Sequence, residues 1–176
     1  MRSFGCVLTL SLLLGALPAR ADPGAEPDAG PSQAELADEA NVPPCTPPRE
    51  LEASRAPAYT TACTFFTALA SRNVDGLMPT VKAPFFFEGT SVGAIDGVGH
   101  RWVQLLGDLG NGSAHFYGMQ LYSYDEMVKK YGKPPAKLAK VPLRGAMIAV
   151  GDLNGRAEVV ALVRQGERWA VFAFHD

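Results

Sequence analysis

The stretch RAEVVALVRQGERWAVFAFHD, residues 156–176, decides the fold expected for this 176-residue chain. Two apolar runs flank the polar turn QGE, and the second run is apolar at consecutive positions. This pattern is typical of a strand that is covered on both faces of its sheet. Strict alternation divides the second run between the two faces, with Trp169, Val171 and Ala173 on one and Ala170, Phe172 and Phe174 on the other.

The same alternation separates the two residues that follow the apolar run. His175 falls on the face of Trp169, and Asp176 falls on the face of Phe174. We therefore expect the two side chains not to act together. Because one of the faces is the concave side of the sheet, either His175 or Asp176 is a candidate for the rim of a pocket.

Turn and helix signals precede this stretch. Asn154-Gly155 predicts a tight hairpin, because this pair accepts positive φ at little cost. Apolar spacing predicts a helix over 58–72, and Asn73 is a suitable N-cap for a short second helix. A third helix contains Trp102 and ends at a Gly-Asn pair.

Two further strands complete the domain. An aromatic run predicts a strand at 85–90, and alternation predicts another at 114–123. Four side chains of the latter share a face: His115, Tyr117, Met119 and Leu121. Helices followed by a curved antiparallel sheet that wraps round them make an α+β architecture.

The start of the chain has the pattern of an export signal. Residues 1–21 combine Arg2, an apolar core and a small-residue cleavage site, as a secretory signal peptide does. Residues 22–57 are rich in Pro, Ala and acidic residues, and we expect them to form a disordered tail before a domain at 58–176. No later segment is apolar enough to cross a bilayer. The expected location is periplasmic or extracellular.

Charge is divided unevenly between the tail and the domain. Residues 22–56 carry eight acidic and two basic groups, a net charge of −6, and residues 57–176 carry twelve basic and ten acidic groups, a net charge of +2. A mildly basic domain behind an acidic tail does not suggest a nucleic-acid partner.

Two cysteines remain once the signal peptide is removed, Cys45 and Cys63. An even number of cysteines in an exported protein favours a disulfide, which would attach the tail to the start of the first helix. The alternative is a reactive or metal-binding thiol pair, for which a CxxC spacing and a nearby histidine are both missing.

The segment after the 114–123 strand is the least regular and forms a basic patch. It has no acid from Met127 to Arg144. Its six cations are Lys129, Lys130, Lys133, Lys137, Lys140 and Arg144. Such a run is commonly a solvated face, and the alternative is contact with an anionic envelope surface or with the protein's own acidic tail.

The order of these elements resembles the NTF2-like (SnoaL-like, cystatin-like cone) superfamily. The resemblance rests on ALASRNVDGL at the end of the first helix, on APFFFEG, and on the closing strand GERWAVFAFHD. It implies a half-barrel cone with a pocket between sheet and helices, and a homodimer formed through the sheet. The superfamily contains isomerases and dehydratases as well as members that only bind or scaffold.

Catalytic residues can be tested against that resemblance. Phe65 stands where the isomerases carry an oxyanion-stabilising tyrosine, and a phenyl ring donates no hydrogen bond. Glu88 falls near their general base, so it is a weak catalytic candidate together with Asp96 and His100. The residues expected to line the pocket are Phe65, Trp102, His115, Tyr117, Tyr122, Trp169 and His175. No metal-ligand spacing and no cofactor motif is present.

These patterns together predict an exported binding module for a small apolar molecule or a protein, without catalysis. Two alternatives remain open. One is a small pocket enzyme of isomerase or dehydratase type, and the other is an envelope-associated protein that acts through its basic patch.

Overall fold

The computed structural model describes residues 45–108, 114–134 and 136–176. The predicted signal peptide and residues 22–44 of the predicted tail lie outside the described residues. Within the described ranges, every helix is too short or too polar to span a bilayer.

The described residues form four α-helices and six strands. The α-helices are α1 (Ala56–Ala70), α2 (Val74–Leu77), α3 (Ile95–Asp108) and α4 (Tyr124–Tyr131). The strands are β1 (Val81–Phe87), β2 (Thr90–Val92), β3 (Phe116–Ser123), β4 (Met147–Leu153), β5 (Arg156–Gln165) and β6 (Arg168–His175). The Asn154-Gly155 hairpin forms as predicted, with φ values of 55° and 77°.

The strands form one curved sheet in the order β2-β1-β6-β5-β4-β3. Neighbouring strands are antiparallel except β1 and β6, which run parallel. The α+β architecture predicted from the sequence is confirmed. A parallel pair needs a long connection between its two strands. Helix α3 and strand β3 lie between β1 and the closing meander in the chain, and β1 pairs with β6, the last strand of that meander.

The inner face of the sheet packs against the helices. Phe65 and Phe66 of α1 and Trp102 of α3 are fully buried there, and the ring of Trp102 lies 5.2 Å from that of Phe174. A Cβ added to Gly151 would lie 2.7 Å from the ring of Phe66, so α1 packs directly onto the backbone of β4. Aromatic rings therefore fill the interior of the cone.

The outer face of the sheet is also covered. Helix α4 and residues 132–134 and 136–146, which we call the cover segment, bury a second apolar cluster against β4, β5 and β6. The cluster includes Leu138, Leu143, Ile148, Ala161, Phe172 and Ala173. The prediction that the closing strands are covered on both faces is confirmed. The chain itself covers this face of the sheet. The homodimer expected through the sheet stays a prediction.

A β-bulge in β6 changes which side chains face inward. Ala161 pairs with Ala173, but Leu162 pairs with Val171, so Phe172 is an extra residue. Phe172 and Ala173 both pack in the outer cluster, and Phe174 returns to the inner core. Strict alternation places Phe172 correctly but was wrong from Ala173 onward, because a bulge shifts the alternation by one position.

A second bulge lies at the start of β3. Phe116 pairs with Leu153 and Gly118 pairs with Asp152, which leaves Tyr117 unpaired. Met119 and Leu121 pack against the inner core, whereas Tyr117 is 67% exposed. The prediction that Tyr117 shares their face was wrong for the same geometric reason.

The disulfide expected from the cysteine count is present. Cys45 and Cys63 are bonded, with their Cα atoms 5.4 Å apart. The bond holds the turns of residues 45–55 against α1, which begins at Ala56 rather than at the expected position 58.

Candidate functional site

A cavity of about 400 Å³ lies between the outer face of the sheet and the cover formed by α4 and the cover segment. Its walls are almost entirely apolar. The sheet contributes Ile148, Val159, Ala161 and Ala173, and the cover contributes Met127 and Leu138. We call this cavity the outer pocket. A cavity of this size with a few polar groups is typical of small-molecule sites.

The polar side chains that line the outer pocket are few and carry no negative charge. They are Tyr124, Tyr131, Lys133 and His175. His175, a candidate for the pocket rim, is among the residues that line the outer pocket. It reaches the outer face rather than the concave one, because the bulge at Phe172 reverses the alternation before it.

Helix α4 is positioned by its own capping and by an ion pair. Ser123 and Glu126 form a capping box at its first turn. The Arg55 guanidinium donates to both carboxylate oxygens of Glu126, at 2.8 and 2.9 Å, which joins α4 to the turn before α1. These hydrogen bonds, aided by the Ser123 backbone N–H, lower the pKa of Glu126 to about 2.

The cover segment is attached to the β1–β2 turn. Lys137 Nζ lies 2.5 Å from Glu88 Oε2. A Cβ added to Gly89 would collide with the backbone carbonyl oxygen of Lys137. The segment therefore packs directly on the turn, and only glycine fits at position 89.

The β1–β2 turn places a carboxylate where turn chemistry does not favour one. Phe87 pairs with Thr90, so Glu88 and Gly89 form a two-residue hairpin loop, with φ values of 49° and 79°. Positive φ at both positions is the mark of a type I′ turn, for which Asn-Gly is preferred. A glutamate held in this conformation indicates that its side-chain contacts outweigh the backbone preference.

Glu88 is the centre of a polar cluster at the end of β6. His175 Nδ1 lies 2.8 Å from Glu88 Oε1, and the backbone N–H of Asp176 donates to the same oxygen at 2.8 Å. Partial burial opposes ionisation, but the hydrogen bonds from Lys137 and Asp176 outweigh it and lower the pKa of Glu88 to about 2. The expectation that His175 and Asp176 do not act together was wrong, since both contact this one carboxylate.

Glu158 adds a second perturbed carboxyl group beside the cluster. Val159 pairs with His175, so Glu158 and Asp176 are neighbours across β5 and β6. Burial, and then repulsion from Asp176, raises the pKa of Glu158 to about 7. Its Oε2 atom is buried and has no hydrogen-bond partner among the described residues.

Three ligand-type side chains meet in this cluster, although the sequence spacing predicted no metal site. Ligand atoms of Glu88, His175 and Asp176 lie within 4.8 Å of one another. Imidazole and carboxylate are suitable ligands for zinc and related metals. The Lys137 ammonium already forms an ion pair with Glu88 in this cluster.

Three of the predicted pocket residues belong to the inner core instead. Phe65 and Trp102 are fully buried, with ring centroids 5.5 Å apart, and Trp169 packs against the same cluster. They do not line the outer pocket. The sequence placed the pocket inside the cone, where Phe65 and Trp102 are fully buried by close-packed rings and Trp169 is partly buried.

Four further candidates lie apart from the outer pocket. Asp96 and His100 are exposed on α3. His115 and Tyr117 are exposed at the start of β3, with ring centroids 4.9 Å apart. Neither pair is connected to Glu88 by a hydrogen bond that the structure records.

Tyr122 lies beside the cover rather than inside the pocket. Its hydroxyl group contacts the Tyr131 hydroxyl group at 3.2 Å and accepts a hydrogen bond from Lys130 Nζ at 2.8 Å. It also donates to Gln120. Hydrogen bonding with Tyr122 and with Lys130 lowers the pKa of Tyr131.

The outer pocket was missed because its cover has no regular sequence pattern. Helix α4 is short, and the cover segment contains turns and only one short 3₁₀ helix, Ala136–Leu138. One signal was available: apolar side chains recur through the basic patch at Leu138, Val141 and Leu143, and all three are buried. A basic loop that is fully solvated would not bury apolar side chains.

Comparisons with known proteins give little that bears on this site. No protein-family model and no curated protein matches the chain. Among solved structures, the chain is similar to a protein from Thiobacillus denitrificans assigned as a calcium/calmodulin-dependent protein kinase type II association domain. The sequence identity is 13%, the match covers 66% of this chain and 90% of that chain, and the TM-score is 0.41.

Proposed function

We propose that this protein is a binding module for a small apolar molecule, and that the outer pocket is its binding site. The observation that carries the proposal is a cavity of about 400 Å³ with apolar walls and only four polar side chains. Burial of apolar surface supplies affinity in such a site, and the few polar groups orient the ligand.

Catalysis is less well supported than binding. A general base works best when its pKa lies near the working pH, and Glu88, with a pKa of about 2, is a weak base at neutral pH. Asp96 and His100 are exposed on α3, and the structure records no hydrogen bond of either side chain to another described residue. The interior of the cone, where the resemblance places isomerase chemistry, is filled by side chains such as Phe65 and Trp102.

We infer that the protein works outside the cytoplasm. The Cys45–Cys63 disulfide supports this inference, because such bonds persist in oxidising compartments. An exported binding module of this kind meets its ligand in the periplasm or the extracellular medium.

Filling the pocket tests the proposal. Ala157 lines the outer pocket but is itself exposed, so Ala157→Trp places an indole at the pocket without disturbing the core. We expect decanol, a neutral apolar probe, to raise the melting temperature of the wild-type protein through mass action and to have little effect on this variant. Thermal unfolding and calorimetric titration measure both effects.

Ala94→Trp is the matched control, since Ala94 is exposed and does not line the outer pocket. It should bind decanol as the wild-type protein does. If decanol stabilised neither the wild-type protein nor the control, or stabilised all three proteins equally, the outer pocket would not be the binding site.

A further inference from the structure

A second cavity adjoins the outer pocket and differs from it in charge. Its volume is about 560 Å³, and it shares a wall with the outer pocket. The shared residues are Tyr124, Lys133, Pro134, Leu138 and Leu143. The second cavity also has Arg144 in its lining and no carboxylate. We call it the basic vestibule.

The cations of the vestibule have no counter-ion among the described residues. Two other cations of the basic patch have polar partners: Lys137 pairs with Glu88, and Lys130 donates to the Tyr122 hydroxyl group. Neither Lys133 nor Arg144 takes part in a salt bridge that the structure records.

The acids nearest in the chain do not offset these charges. Asp125 and Glu126 lie in the first turn of α4, and Glu126 is held by Arg55 at 2.8 Å. The next acid along the chain after Glu126 is Asp152. The cover therefore presents two uncompensated positive charges beside an apolar cavity.

We propose that the ligand is an anionic amphiphile, with its apolar chain in the outer pocket and its anionic head group in the basic vestibule between Lys133 and Arg144. The apolar wall and the cationic wall meet at Lys133, which lines both cavities. Arginine and lysine are the side chains that bind carboxylate and phosphate groups in proteins. This inference rests on the proposed function of the outer pocket.

A series of probes with one chain and three head groups tests the charge preference. We expect decanoate to bind more tightly than decanol, and decyltrimethylammonium to bind least, as measured by calorimetric titration. Raising the salt concentration should weaken decanoate binding and leave decanol binding unchanged, because salt screens charges that are partly exposed.

Charge variants with a matched control locate the head group. The double variant Lys133→Gln/Arg144→Gln should weaken decanoate binding about tenfold, a much larger loss than it causes for decanol. Lys129→Gln/Lys140→Gln makes the same change in net charge at exposed positions outside both cavities. It should bind decanoate as the wild-type protein does.

The outcomes separate a failure of this inference from a failure of the proposed function. If all three probes bound equally and the vestibule variant had no effect, while Ala157→Trp still abolished binding, the outer pocket would still be the binding site. The proposed preference for an anionic head group would then be wrong. If no probe bound and Ala157→Trp changed nothing, both would be wrong.

Vesicles of phosphatidylglycerol distinguish a free amphiphile from a membrane surface. A single anionic chain bound in the two cavities requires only the vestibule pair, Lys133 and Arg144. If vesicle binding were strong, decanoate binding absent, and both charge variants equally impaired, the basic patch would act as a diffuse membrane-binding surface, and the inference would be overturned.

Discussion

At the scale of single residues, the fold changes the acid–base chemistry of Glu158. Burial and the neighbouring Asp176 raise its pKa from 4.5 to about 7. At low pH the carboxyl group is neutral in the folded and the unfolded protein, so it does not lower the free energy of unfolding. Between the two pKa values the unfolded protein ionises first, and stability is lost as the pH rises towards 7.

Replacing Glu158 with Gln should therefore stabilise the protein in a pH-dependent way. At about pH 8 we expect a gain of roughly 1–2 kcal/mol in the free energy of unfolding, after allowance for partial exposure, and at about pH 4 almost none. Urea unfolding at both pH values measures the difference. Glu167→Gln, in the exposed turn between β5 and β6, is the control and should show no such pH dependence; an equal gain at both pH values would contradict the burial argument.

At the scale of elements, the contact between α1 and β4 requires glycine, which has no side chain, at position 151. A Cβ added to Gly151 would lie 2.7 Å from the ring of Phe66, which is itself fully buried. The helix and the strand would have to separate to make room. Backbone approach of this kind shows why a glycine interrupts an otherwise apolar strand.

Gly151→Ala should destabilise the protein by about 2 kcal/mol through overpacking. Gly107→Ala is the opposite case, because no atom of the described residues lies within 4 Å of the added methyl group and the residue is in helix α3. It should stabilise by about 0.5–1 kcal/mol, since alanine favours the helix more than glycine does. Midpoints of urea unfolding compare the two, and a shift in the same direction for both would refute the packing explanation.

At the scale of the whole molecule, the disulfide joins the segment before α1 to the body of the domain. Cys45 and Cys63 are separated by 18 positions. Closing a loop of this length restricts the unfolded chain and stabilises the folded protein by about 3 kcal/mol. The double variant Cys45→Ala/Cys63→Ala should lower the free energy of unfolding by roughly that amount.

Reduction provides the control for this prediction. A reductant should destabilise the wild-type protein to the level of the double variant and leave the double variant itself unchanged. If the double variant were as stable as the oxidised wild-type protein, the bond would contribute nothing to the stability of the folded domain.

The sequence alone determined the architecture, because apolar periodicity, turn residues and cysteine parity act locally. The closing meander, the Asn154-Gly155 turn and the Cys45–Cys63 bond could all be predicted. The prediction for the interior of the cone was wrong. Phe65 and Trp102 were assigned to a pocket, although their rings pack against each other in the core.

Tertiary structure alone decided where the candidate site lies. A bulge at Phe172 sends His175 to the outer face, and Glu88 meets His175 across 87 positions of sequence. The irregular cover segment encloses a pocket on that face because its buried leucines pack on the sheet and Lys137 contacts the β1–β2 turn. Alternation has no means of anticipating an extra residue in a strand, and contacts between distant segments leave no periodic signal.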